Sequence, residues 1–260
     1  MIDRRTRLLY GAGGAVYAVK EAAYLMFVLL FYTQVLGLDG TITGIVIAAS
    51  LVWDAVSDPL VGALSDRFHS RFGRRHPFMV ASILPLGIGF LGLFAPPTSV
   101  VDDKWLLAGW LLFWSLWVRT FITTFSIPHL ALSTDLAEDY QQRSQVLGTR
   151  MAFIFLTTVL LPASALVFIF TGEGDTDGRF IAGNYPIYGA LSCALVWFLA
   201  TISCAGTRQL ARPPSSAGST AAPTLSLVEL TRDLIRTTKN RSFRLLVGYE
   251  IGIMMAYGVM

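Results

Sequence analysis

The sequence predicts an all-α membrane protein, and three observations carry that reading. Of the 260 residues, 54% are hydrophobic and only 14% charged, where a soluble domain carries about 25% charged residues. Mean hydropathy is +0.58. Apolar stretches of membrane-crossing length recur along the chain, and they are continuous rather than alternating, which selects helices over a β-barrel. Each span in lipid has to satisfy its own backbone groups, and a helix does so.

The first span is expected from about Tyr10 to Leu36, with glycines at its start for close helix contact and Lys20 and Glu21 interrupting its middle. Asp39-Gly40 makes a turn, and span two covers about Thr41 to Leu64. A basic loop, Ser65 to His76, precedes span three, Pro77 to about Phe94, which starts on a first-turn proline. Span four runs from about Trp105 to Leu132 and contains Arg119 and Pro128. A polar loop, Ser133 to Gln145, leads to span five, Val146 to Phe170, which carries Arg150 near its start. An acidic, glycine-rich loop separates it from span six, about Tyr185 to Cys204.

Three regions result. Residues 1–205 form a six-helix transmembrane bundle. Residues 206–244 read as a central linker, rich in Ser, Ala, Pro and Gly as far as Pro223 and followed by an amphipathic segment on the membrane surface. Residues 245–260 turn apolar again and read as the truncated start of a seventh span.

All but five of the 20 Lys and Arg fall in the N-terminus, the loops after spans two and four, and the linker. That bias places these segments, and the N-terminus with them, on the cytoplasmic side of a multi-pass protein of the cell membrane. It also accounts for the pI near 9.0 without a nucleic-acid partner. The apolar run after Arg4, Arg5 and Arg7 is too long for a cleavable signal peptide. Asn240-Arg241-Ser242 matches a glycosylation acceptor, but the same orientation argues against its use. Cys193 and Cys204 have no metal or redox spacing. His69, His76 and His129 show no paired arrangement with carboxylates, so a membrane enzyme is disfavoured and no cofactor is expected.

The chemistry concentrates on Trp53-Asp54-Ala55-Val56-Ser57-Asp58-Pro59. Asp54 and Asp58 share one helix face, with Cβ atoms roughly 5–6 Å apart. A carboxylate at mid-bilayer costs on the order of 2.5–3.5 kcal/mol, so two together need a neutralising positive charge. Two readings stay open at this point: an ion or proton site, or a structural pair with a buried Arg or Lys. A hard cation such as Na⁺ takes oxygen ligands, and Asp54, Asp58 and a hydroxyl of Ser57 or Thr123 offer them. Arg119, one turn from Thr123, offsets the remaining charge. Asp54, Lys20, Glu21 and Arg119 fall near mid-span at about 1.5 Å per residue, the depth at which secondary transporters bind solute. Lys20 and Glu21, being adjacent, are expected to have separate partners, Lys20 with Asp54. Arg150 has two readings, a planar fork for solute hydroxyls or an ion pair with Asp58. Trp110, Trp114 and Trp117 share a face of span four and either stack on a solute or pack helices. His129, after Pro128, reads as a hydrogen-bonded packing residue with a proton relay as the alternative. Gly62, Asp66, Arg67, Gly73, Arg74 and Arg75 are expected to form a cytoplasmic gate of charge-assisted bonds.

The W-D-A-x-x-D-P segment, the Asp66-Arg67…Gly73-Arg74 turn, Phe31-Tyr32-Thr33…Gly37-Leu38, Ile127-Pro128 and Arg150 resemble the glycoside–pentoside–hexuronide:cation symporters, the melibiose-permease-like branch of the major facilitator superfamily. The resemblance implies that superfamily's fold: an N-terminal six-helix bundle, a central cytoplasmic loop and part of helix seven. It implies alternating-access symport of a sugar or glycoside with Na⁺ or H⁺. It also implies cation binding at Asp54 and Asp58 with help from Thr123, and sugar contact at Arg150. The chain departs from the family pattern at Ser126, where an aspartate specifies the sugar, and at Ala18, another aspartate position that here has Lys20 and Glu21 close by. Arg150, Lys20, Glu21, Ser126, Arg119 and Trp117 make up the expected solute contacts. The alternatives are a lysolipid symporter of the same branch and a non-transporting membrane scaffold.

Overall fold

Among the described residues, six helices long and apolar enough to cross a membrane form from the six apolar stretches. The computed structural model describes residues 3–68, 70, 72–136, 139–172, 174–208 and 244–245. The chain divides into one unit over Met1–Ser215 and a second over Ser216–Met260. The expected amphipathic segment, most of the linker and the seventh span lie outside the described residues.

Helix α1 covers Arg4–Ala22 and continues through π-helical turns at Ala23–Val28 and Phe31–Val35. Then come α2 (Gly40–Arg67), α3 (His76–Phe94), a single turn α4 (Thr98–Val101), α5 (Lys104–Leu136), α6 (Tyr140–Phe168) and α7 (Asn184–Thr207). The spans overrun their apolar stretches. Helix α1 starts at Arg4 rather than near Tyr10, and the polar loop expected over Ser133–Gln145 is mostly helix. For α6 the reason is that i→i−4 bonding continues where a cap satisfies the free donors, whatever the side chains prefer. Asp139 accepts from Gln142 N at 2.7 Å to start α6. Asp39 accepts from Thr41 N and Ile42 N at 2.8 and 3.1 Å to start α2. Those two backbone donors hold the exposed Asp39 carboxyl below the ordinary carboxylate range.

Helix α1 packs on α6 and α7, α3 packs on α5 and α7, and α2 packs on α5. Neighbours therefore follow the order α6–α1–α7–α3–α5–α2. A buried aromatic cluster fills the space between α1, α3 and α7: Phe31 stacks on Tyr185 with centroids 4.1 Å apart, and Phe27 on Phe170 at 4.8 Å. Near the other end, His129 ties α5 to α1. Its ring stacks on Tyr10 at 4.3 Å, its Nε2 donates to Tyr10 O at 3.0 Å, and Tyr10 OH donates back to His129 O at 3.1 Å.

Glycines on α3 admit tryptophans from both neighbours. A Cβ at Gly87 would lie 2.1 Å from Trp197 Nε1 of α7, and one at Gly92 would lie 2.1 Å from Trp114 Cε2 of α5. Without those side chains the helices close to contact. Trp110 and Trp117 then donate their ring N–H groups to Gly92 O and Pro85 O, each at 2.8 Å. The tryptophan face of span four is thus spent on α3, and Trp117 does not line a solute site as expected.

Candidate functional site

Two stripes, each built from residues four apart, zip α2 to α5. On α2 the stripe is Ser50, Asp54 and Asp58; on α5 it is Arg119 and Thr123. Arg119 Nη1 donates to Asp54 Oδ2, and Arg119 Nε donates to Ser50 Oγ at 2.8 Å. One turn on, Thr123 Oγ1 donates to Asp58 Oδ1 at 2.7 Å. Trp53 Nε1 donates to Thr120 Oγ1 at 2.8 Å in the same register. Partners keep a constant offset of 65 residues, from Asp54–Arg119 to Asp58–Thr123, so α2 and α5 run in the same direction. Gly62 continues the seam, with space for a Cβ 3.6 Å from Ile127 Cγ2.

The acidic pair is unequally furnished. The Arg119 side chain is 4% exposed and that of Asp54 is 24% exposed. The Arg119 guanidinium also lies 5.0 Å from the centroid of the Tyr24 ring, in the π-helical part of α1. Asp54 Oδ1, by contrast, is buried with no hydrogen-bond partner. Asp58 is half-buried, and its Thr123 contact is a neutral donor rather than a cation. Pro59 brings no N–H to bond the carbonyl of Ala55, which leaves one more oxygen between the two aspartates without its helical donor. Two carboxylates and one guanidinium leave one negative charge, and an unsatisfied buried carboxylate oxygen is costly. A monovalent cation or a proton answers both deficits.

Other expected contacts fall differently. Ser57 is buried, but its hydroxyl turns to Asp54 O along its own helix, at 3.5 Å, and gives the carboxylates nothing. Lys20 does not reach Asp54. It pairs with its neighbour Glu21, Nζ to Oε1 at 2.5 Å, and lies 4.7 Å from the Tyr17 ring. The two long side chains bridge the angle between adjacent helix positions, which spacing alone had counted against. Arg119, expected as a solute contact, is committed to Asp54 and Ser50. Arg150 forms no ion pair with Asp58. Its Cγ would meet a Cβ on Gly14 at 2.8 Å, and its Nε is buried without a partner. Ser126 is half-buried on α5, three residues after Thr123.

A second charge cluster closes one end of the helices. Arg75 Nη1 donates to Asp135 Oδ2 at 2.7 Å and to Ala131 O, and its Nη2 donates to Asp66 Oδ1 at 3.4 Å. Arg74 Nη2 reaches Asp135 Oδ1 at 3.2 Å. Gly73, at φ +85°, takes the left-handed turn that delivers both arginines. Arg67 ends α2 beside them. Asp135, the hub, was not among the residues expected here. It had been placed in a loop, where its direction could not be read. Ser50 was also missed, although it continues the four-residue spacing of Asp54 and Asp58.

Residues 9–260 match the family described as MFS/sugar transport protein. The chain belongs to this family. Its relatives include the uncharacterized symporter sll1374 of Synechocystis sp., 28% identical over 94% of this chain and 44% of the relative. The putative glycoside/cation symporter YagG of Escherichia coli is 28% identical over 67% of this chain and 37% of its own length. The sodium-dependent lysophosphatidylcholine symporter 1 of Gallus gallus is 30% identical over 60% of this chain and 29% of its own. The chain spans less than half the length of each. Membership in a transporter family together with six apolar helices makes this a multi-pass membrane protein.

Proposed function

We propose that this chain forms the N-terminal part of a secondary transporter that moves a sugar or glycoside together with Na⁺ or H⁺ by alternating access. The observation that carries the reading is the mid-span acidic pair, with Asp54 Oδ1 buried and unsatisfied and Asp58 held by Thr123. The cation sits between Asp54, Asp58 and Thr123. Arg150, Lys20, Glu21 and Ser126 face the solute, and the unpartnered Nε of Arg150 is the donor in search of an acceptor. Relatives named as symporters, one of them a glycoside/cation symporter, support this reading. The N-terminus is cytoplasmic, and the Arg75–Asp135–Asp66 cluster is the gate on that side. Residues 1–205 are the bundle.

A second reading, a lysolipid as the solute, is favoured by the likeness to a lysophosphatidylcholine symporter. Uptake into vesicles carrying the full gene product separates the two. Labelled glycosides and a labelled lysolipid are offered under a Na⁺ gradient and, separately, a pH gradient. Gradient-driven accumulation of a glycoside supports the first reading and accumulation of the lysolipid the second. Uptake of either that ignores both gradients refutes symport.

A further inference from the structure

The two aspartates of the proposed cation site differ in one respect. Asp54 already holds a positive charge, the Arg119 guanidinium, while Asp58 has no cationic group within salt-bridge distance among the described residues. The guanidinium is seated at three points: Asp54 Oδ2, Ser50 Oγ at 2.8 Å, and the Tyr24 ring at 5.0 Å. Two of the three do not involve the carboxylate.

We infer that Arg119 is a tethered competitor of the coupling ion and sets the affinity of the site for it. The inference rests on the symport reading above. Before the ion arrives, Arg119 neutralises Asp54 and keeps the mid-span charge at minus one. The ion enters beside Asp58 and the free Oδ1 of Asp54, and two cations then share one carboxylate a few ångströms apart. Their repulsion weakens ion binding. It is relieved when Nη1 leaves Asp54 while Nε stays on Ser50 and the guanidinium stays over Tyr24, a favourable cation–π seat. Tyr24 belongs to α1, the helix that also carries Lys20 and Glu21. Release of Nη1 from Asp54, with the guanidinium left to Ser50 and the Tyr24 ring, is therefore a physical link from ion occupancy to α1 and the solute side of the site. A coupling of this kind requires differential contacts in the two states, and Asp54 supplies them.

The test is equilibrium binding of radioactive Na⁺ to the purified full gene product, for wild type, R119Q, R119K and S50A. Removing the unit charge beside the site tightens cation binding by about tenfold or more at the effective dielectric of a protein interior, so R119Q reaches half-saturation at a correspondingly lower Na⁺ concentration. R119K keeps the charge and stays near wild type. S50A loosens the tether and falls between. Unchanged or weaker Na⁺ binding in R119Q overturns the inference. Should R119Q not fold, S50A decides alone: tighter binding supports the competitor, and unchanged binding overturns it. Where wild type binds no Na⁺, the same comparison is read on uptake against proton concentration, with Asp58, Lys20 and Glu21 unaltered throughout. R119Q then reaches half-maximal uptake at a lower proton concentration, and an unchanged midpoint overturns the inference. A wild type that responds to neither ion removes the symport reading and this inference together, whereas a wild type that binds an ion no more weakly than R119Q removes this inference alone.

Discussion

At the Arg75 end of α2, one guanidinium meets two carboxylates, a hydroxyl and a backbone carbonyl, and a second guanidinium braces the same Asp135. At mid-span, Arg119 meets one carboxylate and one hydroxyl, and a carboxylate oxygen beside it meets nothing. Both clusters join α2 to its neighbours, and both use Asp and Arg. The end cluster is asymmetric, with Arg75 7% exposed and Asp66 56% exposed at the rim, and its unmet atom, Arg75 Nε, is a donor. It is a knot whose bonds water can replace when it opens. The mid-span cluster is short of positive charge. What separates a latch from an ion site here is the sign of the unmet group: a carboxylate oxygen at mid-span, which a cation can answer, and a guanidinium N–H at the end, which it cannot.

The comparison predicts a crossed pattern of mutant effects. The largest is in transport. Asp58→Asn removes the carboxylate that has no cation of its own. Truncating one side of a desolvated charge contact costs about 2–5 kcal/mol, on the order of 30-fold or more in ion affinity. Gradient-driven accumulation in vesicles is expected to vanish while the melting temperature stays near wild type. Full accumulation in that variant breaks the comparison at its mid-span arm.

Next is Arg75→Gln, which leaves Asp135 with Arg74 as its cation at the end cluster. Breaking a buried pair costs about 3–5 kcal/mol, and the partly exposed partners place this case at the lower end. Thermal unfolding in detergent is expected to show that loss with Na⁺ or proton affinity unchanged. A variant equally stable but weaker in ion binding would reverse the assignment of the two clusters.

Gly92→Ala belongs to neither cluster and serves as the frame control. Its Cβ would sit 2.1 Å from Trp114 Cε2, and overpacking of this kind costs about 1–3 kcal/mol. The melting temperature should fall while ion affinity holds. The smallest effect is at Asp39. Its carboxyl lies below the ordinary range because Thr41 N and Ile42 N donate to it. A depressed value in the fold gives stability that is present above the unfolded value, about 3.9, and lost as pH falls through the folded one. Wild type should therefore outlast Asp39→Ala slightly at neutral pH, and the gap should close in strong acid. A gap that persists there would mean the cap does not act through the carboxylate.

The spans themselves were readable because lipid forces each one to close its own backbone bonds, so hydropathy alone located all six. Helix ends were not, since capping at Asp139 extends α6 back past the apolar residues and α1 begins at Arg4, ahead of its apolar stretch. Within the site, the grouping of Asp54 and Asp58 with Thr123 came from residue type and resemblance, and the charge offset at Arg119 from its spacing to Thr123; that Thr123 bonds Asp58 came from the structure. Which Asp it would hold was not legible, because that depends on the register between α2 and α5. The Lys20–Glu21 pair went unforeseen because side-chain length overrode helix geometry. Trp117 was misread because a tryptophan stripe looks the same whether it faces a solute or the glycines of α3. Asp135 was hidden by its placement in a supposed loop.

The most direct measurement counts ions. Purified wild type and the double variant Asp54→Asn/Asp58→Asn are compared for monovalent cation binding at equilibrium, as Na⁺ bound or as protons taken up. The account predicts one ion per wild-type protein and none in the double variant; a double variant that binds as wild type does would contradict it.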